Sequence, residues 1–135
     1  MCRRLARTVL GCICLSLCFI SDCTYARHTS EEFAIGSMIQ IRAAEEAYKS
    51  SRARYGTLTE LTDASLSVPA PVQYGYKFAL QATTTTYIAV GTPIAFKENS
   101  LSLYLDQSQV IRGMFKNGRD ANSNDPPLKG SGINK

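Results

Sequence analysis

The feature that most constrains this chain is the stretch from Thr29 to Tyr55, the one segment periodic enough and long enough to form a substantial helix. Thr29 followed three residues later by Glu32 fits a capping box, and Glu31 and Glu32 set negative charge against the positive helix end. Steps of four and three then pick out Ala34, Met38, Ile41, Glu45 and Tyr48, with Ile35 and Ala44 beside them. This is an apolar stripe broken once by a carboxylate. Arg42 with Glu45 and Glu46, and Glu45 with Lys49, read as a solvated flank of ion pairs worth ~0.2–0.5 kcal/mol each. Tyr55-Gly56-Thr57 supplies the glycine that can end such a helix.

The residues before the helix read as an export signal. Arg3, Arg4 and Arg7 precede an uncharged apolar run from Val9 to Ile20, and Thr24-Tyr25-Ala26 offers a cleavage site, so residues 1–26 are expected to be a signal peptide. The run is well short of the roughly 20 apolar residues a spanning helix needs. The expected location is therefore periplasmic or secreted, with a chain anchored to the membrane by residues 5–20 as the alternative. All five cysteines, Cys2 to Cys23, fall in this segment, so the mature chain is expected to carry no disulfide framework. Removing Met1 to Ala26 takes away three arginines and Asp22 and leaves 12 basic against 10 acidic residues. The remaining cations form no stripe, which argues against a nucleic-acid partner.

Beyond Gly56, the leucines Leu58, Leu61 and Leu66 suggest a short helical turn or ordered loop folding back on the main helix, and Pro69 and Pro71 end it. The period then changes to two. Tyr74, Tyr76, Phe78 and Leu80 alternate with smaller or polar residues, and Tyr87 to Val90 forms a second strand that Gly91-Thr92-Pro93 is expected to stop. A reversal at Gln81 to Thr84 would join the two. Leu101, Leu103 and Leu105 give a third strand, and Asp106 to Gln109 a turn into a fourth at Val110 to Gly113. These elements predict an α+β fold: one long amphipathic helix on a three- to four-stranded antiparallel meander, spanning residues 27–115. The expected core contains Met38, Ile41, Tyr48, Phe78, Leu80, Ile88, Val90, Leu103 and Ile111. Residues 116–135, rich in Gly, Asn, Asp, Pro and Lys, are expected to be loop and flexible tail.

Several strings in this order resemble type IV pilin-like proteins and the major pseudopilins of type II secretion. They are Ala34-Ile35-Gly36-Ser37-Met38 with Ala43 to Tyr48; Tyr55-Gly56-Thr57-Leu58 with Leu61; Gly75-Tyr76-Lys77-Phe78; Asp106 to Arg112; and Asn124-Asp125-Pro126-Pro127-Leu128. The resemblance covers Ala34 to Leu128. It implies a non-enzymatic exported protein acting through protein–protein contacts, with other pilin-like subunits as partners, in or beside a type II secretion or type IV pilus system. The short basic leader, peptidase site and apolar half-helix of such pilins are not recognisable here. A soluble periplasmic binding or accessory domain that kept the fold and lost filament assembly is accordingly the alternative.

Candidates for chemistry are few. His28, the single histidine, has no base or metal partner nearby in sequence, and no nucleophile elbow or phosphate loop is present, so no catalytic residues are assigned. Asp120, Asn122, Asn124 and Asp125 present alternating oxygen donors, as in the first half of a calcium loop. Asp125 stands where the turning glycine belongs and Ser131 where the bidentate acid belongs, and an Asx-rich turn is the competing reading. The resemblance adds that major pseudopilins carry a structural calcium ion in this region. The tyrosines Tyr48, Tyr55, Tyr74, Tyr76, Tyr87 and Tyr104 read either as a partner surface or as half-buried residues with wet hydroxyls.

Overall fold

The computed structural model describes residues 5–129, with side chains from Thr29 onward. Helix α1 spans Leu5–Arg52 and a short helix α2 spans Leu58–Asp63. Five strands follow: β1 Val72–Gln73, β2 Tyr76–Ala82, β3 Tyr87–Pro93, β4 Leu101–Asp106 and β5 Arg112–Phe115. They form one antiparallel sheet in the order β1-β2-β3-β4-β5. The α+β class and the meander are as expected from the sequence.

Three expectations are corrected. The first concerns the helix start: α1 runs straight through Thr29, so Thr29 and Glu32 do not cap it. Continuing an existing helix fixes one residue per hydrogen bond, whereas starting one afresh carries the cost of a nucleus. The Thr-x-x-Glu pattern recurs at Thr57 and Glu60, and there it does cap. The Glu60 amide donates to Thr57 Oγ1 at 3.4 Å and the Thr57 amide to Glu60 Oε2 at 2.8 Å, opening α2.

The second correction is strand number. Tyr74 and Gly75 adopt positive φ of 53° and 76° between the paired residues Gln73 and Tyr76. Two successive positive φ values give the tight hairpin turn that matches strand twist. Tyr74 is thereby taken out of the strand it was expected to begin, and Val72–Gln73 becomes a fifth strand.

The third concerns β3, which continues through Gly91, Thr92 and Pro93 rather than stopping there. Its inward side chains are Tyr87, Ala89, Gly91 and Pro93; Ile88 is 43% exposed and Val90 only part-buried. The cause is the register with β2, which sets Tyr76 opposite Pro93, Phe78 opposite Gly91, Leu80 opposite Ala89 and Ala82 opposite Tyr87. Each rung pairs a large residue with a smaller one, so the layer under the helix interdigitates. A Cβ on Gly91 would stand 3.2 Å from the Phe78 ring. The alternative face would have put Ile88 and Val90 against Gln81 and Ala79.

The main core lies between α1 and the sheet, with Met38, Ile41, Leu103, Leu105 and Ile111 fully buried. Each is worth about 1.5–3 kcal/mol relative to exposure, which outweighs any ion pair on the helix flank. A smaller cluster of Ala44, Tyr48 and Leu61 seats α2 against α1. The turn from β2 to β3 falls at Thr83 to Thr86, where the Thr83 hydroxyl accepts the Thr85 and Thr86 amides. The β4–β5 turn is at the expected Asp106 to Gln109, with the Ser108 amide donating to Asp106 Oδ1 at 2.8 Å.

After β5 the chain returns across the sheet. The Ser102 hydroxyl donates to the Arg119 carbonyl at 2.5 Å, and Pro127 bridges to Arg112 along the β5 edge. The Gly113 amide donates to the Pro126 carbonyl and the Leu128 amide to that of Ile111. The chain as far as Leu128 is thus fastened to the sheet; residues 130–135 lie outside the described residues.

Candidate functional site

Two features stand out, one at each end of the α1–sheet layer. At the first end, Glu31 Oε1 accepts the Leu101 amide at 3.2 Å, and Phe33 stacks on Tyr74 with ring centroids 4.6 Å apart. Leu101 pairs with Phe115, and Tyr76 with Pro93, so this is the end at which α1 enters the domain. The Gly75 carbonyl accepts the Ile94 and Ala95 amides, which brings the β3–β4 connection beside the Tyr74 turn.

Phe33, Tyr74, Ile94, Phe96, Met114 and Phe115 are all 41–60% exposed and gather around this end. Val72, 59% exposed, adjoins them; Ile39 and Ile88 are the other large exposed apolar residues among those described. Tyr74 and Phe96 hold their rings outward from a left-handed backbone, with φ of 53° and 54°. A non-glycine residue in that region costs of order 1–3 kcal/mol; Ala53, Ser65, Gln109 and Asn117 share that conformation outside this group. A cleft of 320 Å³ lined by Met114, Phe115, Lys116, Arg119 and Asp120 opens on the same side.

At the opposite end, three elements converge on Glu45. Its position on α1 breaks the apolar stripe, and instead of lying on a solvated flank it is fully buried. Oε2 accepts the Gly56 amide at 3.0 Å, while Oε1 has no hydrogen-bond partner. Burial pushes the carboxyl up to about 7; the Gly56 bond opposes this, and the carboxylates of Glu60 and Glu46 add to it. The Tyr87 hydroxyl on β3 is likewise buried without a partner, and burial, then Glu45, raises it well above the usual phenol range.

The wall around this carboxyl is aromatic. Tyr55 and Tyr87 lie 4.8 Å apart, and a Cβ on Gly56 would come within 2.9 Å of the Tyr48 ring. The flanking cations are engaged elsewhere. Lys49 Nζ donates to Tyr55 Oη at 2.8 Å, and Arg54 donates to Glu60 at 2.6 Å and to Tyr48 Oη at 3.2 Å. The hydrogen bond from Arg54, with that from the Thr57 amide, holds the Glu60 carboxyl down at about 2.

The sequence-derived site residues are placed as follows. Asp120 Oδ1 accepts the Thr92 hydroxyl at 2.5 Å, Asn122 Oδ1 accepts the Asn124 amide at 2.9 Å, and Asp125 Oδ2 accepts both the Asn122 amide and Lys116 Nζ. Asn122 to Asp125 form one Asx turn, while Asp120 is tied to the sheet. Burial pushes the Asp125 carboxyl up, but the Lys116 and Asn122 hydrogen bonds more than reverse it and leave it below its ordinary value. Of the six tyrosines whose side chains are described, Tyr48, Tyr55, Tyr76, Tyr87 and Tyr104 are buried and Tyr74 stands exposed. The His28 side chain and the signal segment of residues 1–26 lie outside the residues whose side chains are described. Among the described residues no helix is long and apolar enough to cross a membrane.

Neither feature is written out in the sequence as a motif. The break in the stripe at Glu45 was the available signal for one. For the other, no short-range pattern marks residues that only the sheet topology brings together. Comparison with protein-family models, with curated proteins and with solved structures returns no match.

Proposed function

We propose that this chain is an exported, non-enzymatic pilin-like protein that works through protein–protein contacts in or beside a type II secretion or type IV pilus system. The observation that carries this reading is the apolar rim of Phe33, Tyr74, Ile94, Phe96, Met114 and Phe115 around the end where α1 enters the domain. The architecture supports it. At about 1.5 Å per residue the stretch of α1 beyond the expected signal peptide, residues 27–52, is roughly 40 Å long, whereas its core-packing residues, Ala34 to Tyr48, take up roughly 20 Å of that. A helix used as a spine, clothed by a small meander over part of its length, is the arrangement the sequence resemblance implies.

The unbroken passage of α1 through Thr29 bears on the same reading. The helix does not start at a polar cap at Thr29, so a chain that keeps residues 5–20 as an anchor would carry them on the same helix. Type-specific photo-crosslinking from Tyr74 in the full chain, followed by cell fractionation, tests the proposal. Adducts to a defined protein partner in the membrane or filament fraction support it; a free, unlinked monomer in the soluble fraction opposes it.

A further inference from the structure

The Glu45 knot is separate from the apolar rim and stands on its own geometry. A carboxyl group with no solvent exposure carries one satisfied oxygen and one orphaned oxygen, and the Tyr87 hydroxyl buried near it is orphaned as well. Leaving two such groups unpaired costs more than any bond they could make with water outside. Tyr87 Oη, a donor as well as an acceptor, makes no hydrogen bond to Oε1, so one buried water would be needed to pair the two; a proton on Oε1 removes the uncompensated buried charge, which is the larger cost.

We propose that Glu45, packed beside Tyr87, forms a buried proton-binding site that fastens the Tyr55–Thr57 connection to α1 when the carboxyl is neutral and releases it when the carboxyl ionises and draws in water. The thin part of the wall is Gly56, whose amide is the one hydrogen bond Glu45 makes and whose lack of a side chain lets the Tyr48 ring close over it. Among the described residues, the charged groups on the packed elements push the Glu45 carboxyl up or are engaged with other partners; Arg42, one turn back on α1, donates to the Gln109 carbonyl. On α1, Glu46 repels a charge on Glu45 and Lys49 is turned to Tyr55; in the connection and on α2, Arg54 is held by Glu60; on the sheet, Asp106 lies behind Tyr87. Water entering at Gly56 is the cheapest way to solvate that charge, and it undoes the connection. The burial-driven displacement of the Glu45 carboxyl towards neutral pH is consistent with the geometry.

Two measurements on the full chain test this. In a carbon-13 titration of the glutamate carboxyls, one group is expected to titrate near 7. In amide exchange, the opening of Gly56 to Leu61 is expected to rise about tenfold per pH unit between 4.5 and 7, after correction for intrinsic exchange. Glu45→Gln copies the neutral form, keeping an acceptor for Gly56 without the charge, and should remove that slope. Tyr87→Phe should keep the slope and raise opening at pH 5. A titration in which every glutamate ionises in the ordinary range overturns the proposal even if neither variant folds, as does an unchanged slope in Glu45→Gln.

Discussion

Glu45 accepts the Gly56 amide hydrogen at 3.0 Å across eleven residues of sequence, joining the middle of α1 to the loop that leaves it. The bond uses one carboxylate oxygen and leaves the other buried and unpartnered, so the same residue that fastens the connection also makes it sensitive to charge.

Global stability should therefore fall as pH rises. The folded Glu45 carboxyl lies at about 7 against an ordinary 4.5, so the folded chain holds a proton that the unfolded chain has released. Its contribution is fully present below 4.5 and is lost as pH rises through 7, in all about 3 kcal/mol by linkage. Urea unfolding at pH 5 and pH 8 should show that decline, and Glu45→Gln should flatten it and be the more stable chain at pH 8.

Gly56→Ala should destabilise by about 1–3 kcal/mol, the usual cost of overpacking. The added Cβ would stand 2.9 Å from the Tyr48 ring and 3.2 Å from Leu61. Thermal melting checks this, and a neutral result would mean that the ring is not closed over the glycine.

The two Thr-x-x-Glu patterns should respond differently to the same substitution. Thr57→Ala removes a cap in use and should cost about 1 kcal/mol. Thr29→Ala lies inside a continuous helix, where alanine has the higher propensity, and should cost less than Thr57→Ala. Chemical denaturation of the two variants side by side separates them.

The register of β3 gives a further contrast. Ile88→Thr should change stability by no more than about 0.5 kcal/mol, because that side chain faces solvent. Ala89→Leu should cost about 1–3 kcal/mol, because Ala89 is fully buried opposite Leu80 and Leu105. Reversal of that order would put the strand in the other register.

Periodicity was enough to reveal the layer arrangement, because a helix with one apolar stripe and strands with a two-residue repeat leave few ways to bury both. It was misleading where two local signals conflicted. Ile88 and Val90 are the more apolar pair, yet size complementarity with Phe78 and Leu80 turned Ala89 and Gly91 inward. Tyr74 alternates correctly for a strand, but the glycine after it allowed a tight turn. Glu45 was visible as an interruption of the stripe; its burial depended on a loop residue eleven positions away. The exposed apolar residues where α1 enters were illegible because Phe33, Tyr74, Phe96 and Phe115 come to the same end of the layer only through the meander's register.

A protein-contact surface at the rim around the entry of α1 should decide where the chain is found in the cell. The most direct measurement is the distribution of the full chain between membrane or filament and soluble fractions, wild type against the double variant Phe33→Asp, Tyr74→Asp, with circular dichroism to check the fold. Both side chains are about half exposed, so the fold should survive. Wild-type protein is expected in the membrane or filament fraction, in complex with a protein partner, and the folded double variant is expected as free monomer. Wild-type protein found as free soluble monomer, or a double variant that partitions as the wild type does, would contradict a contact surface at the rim.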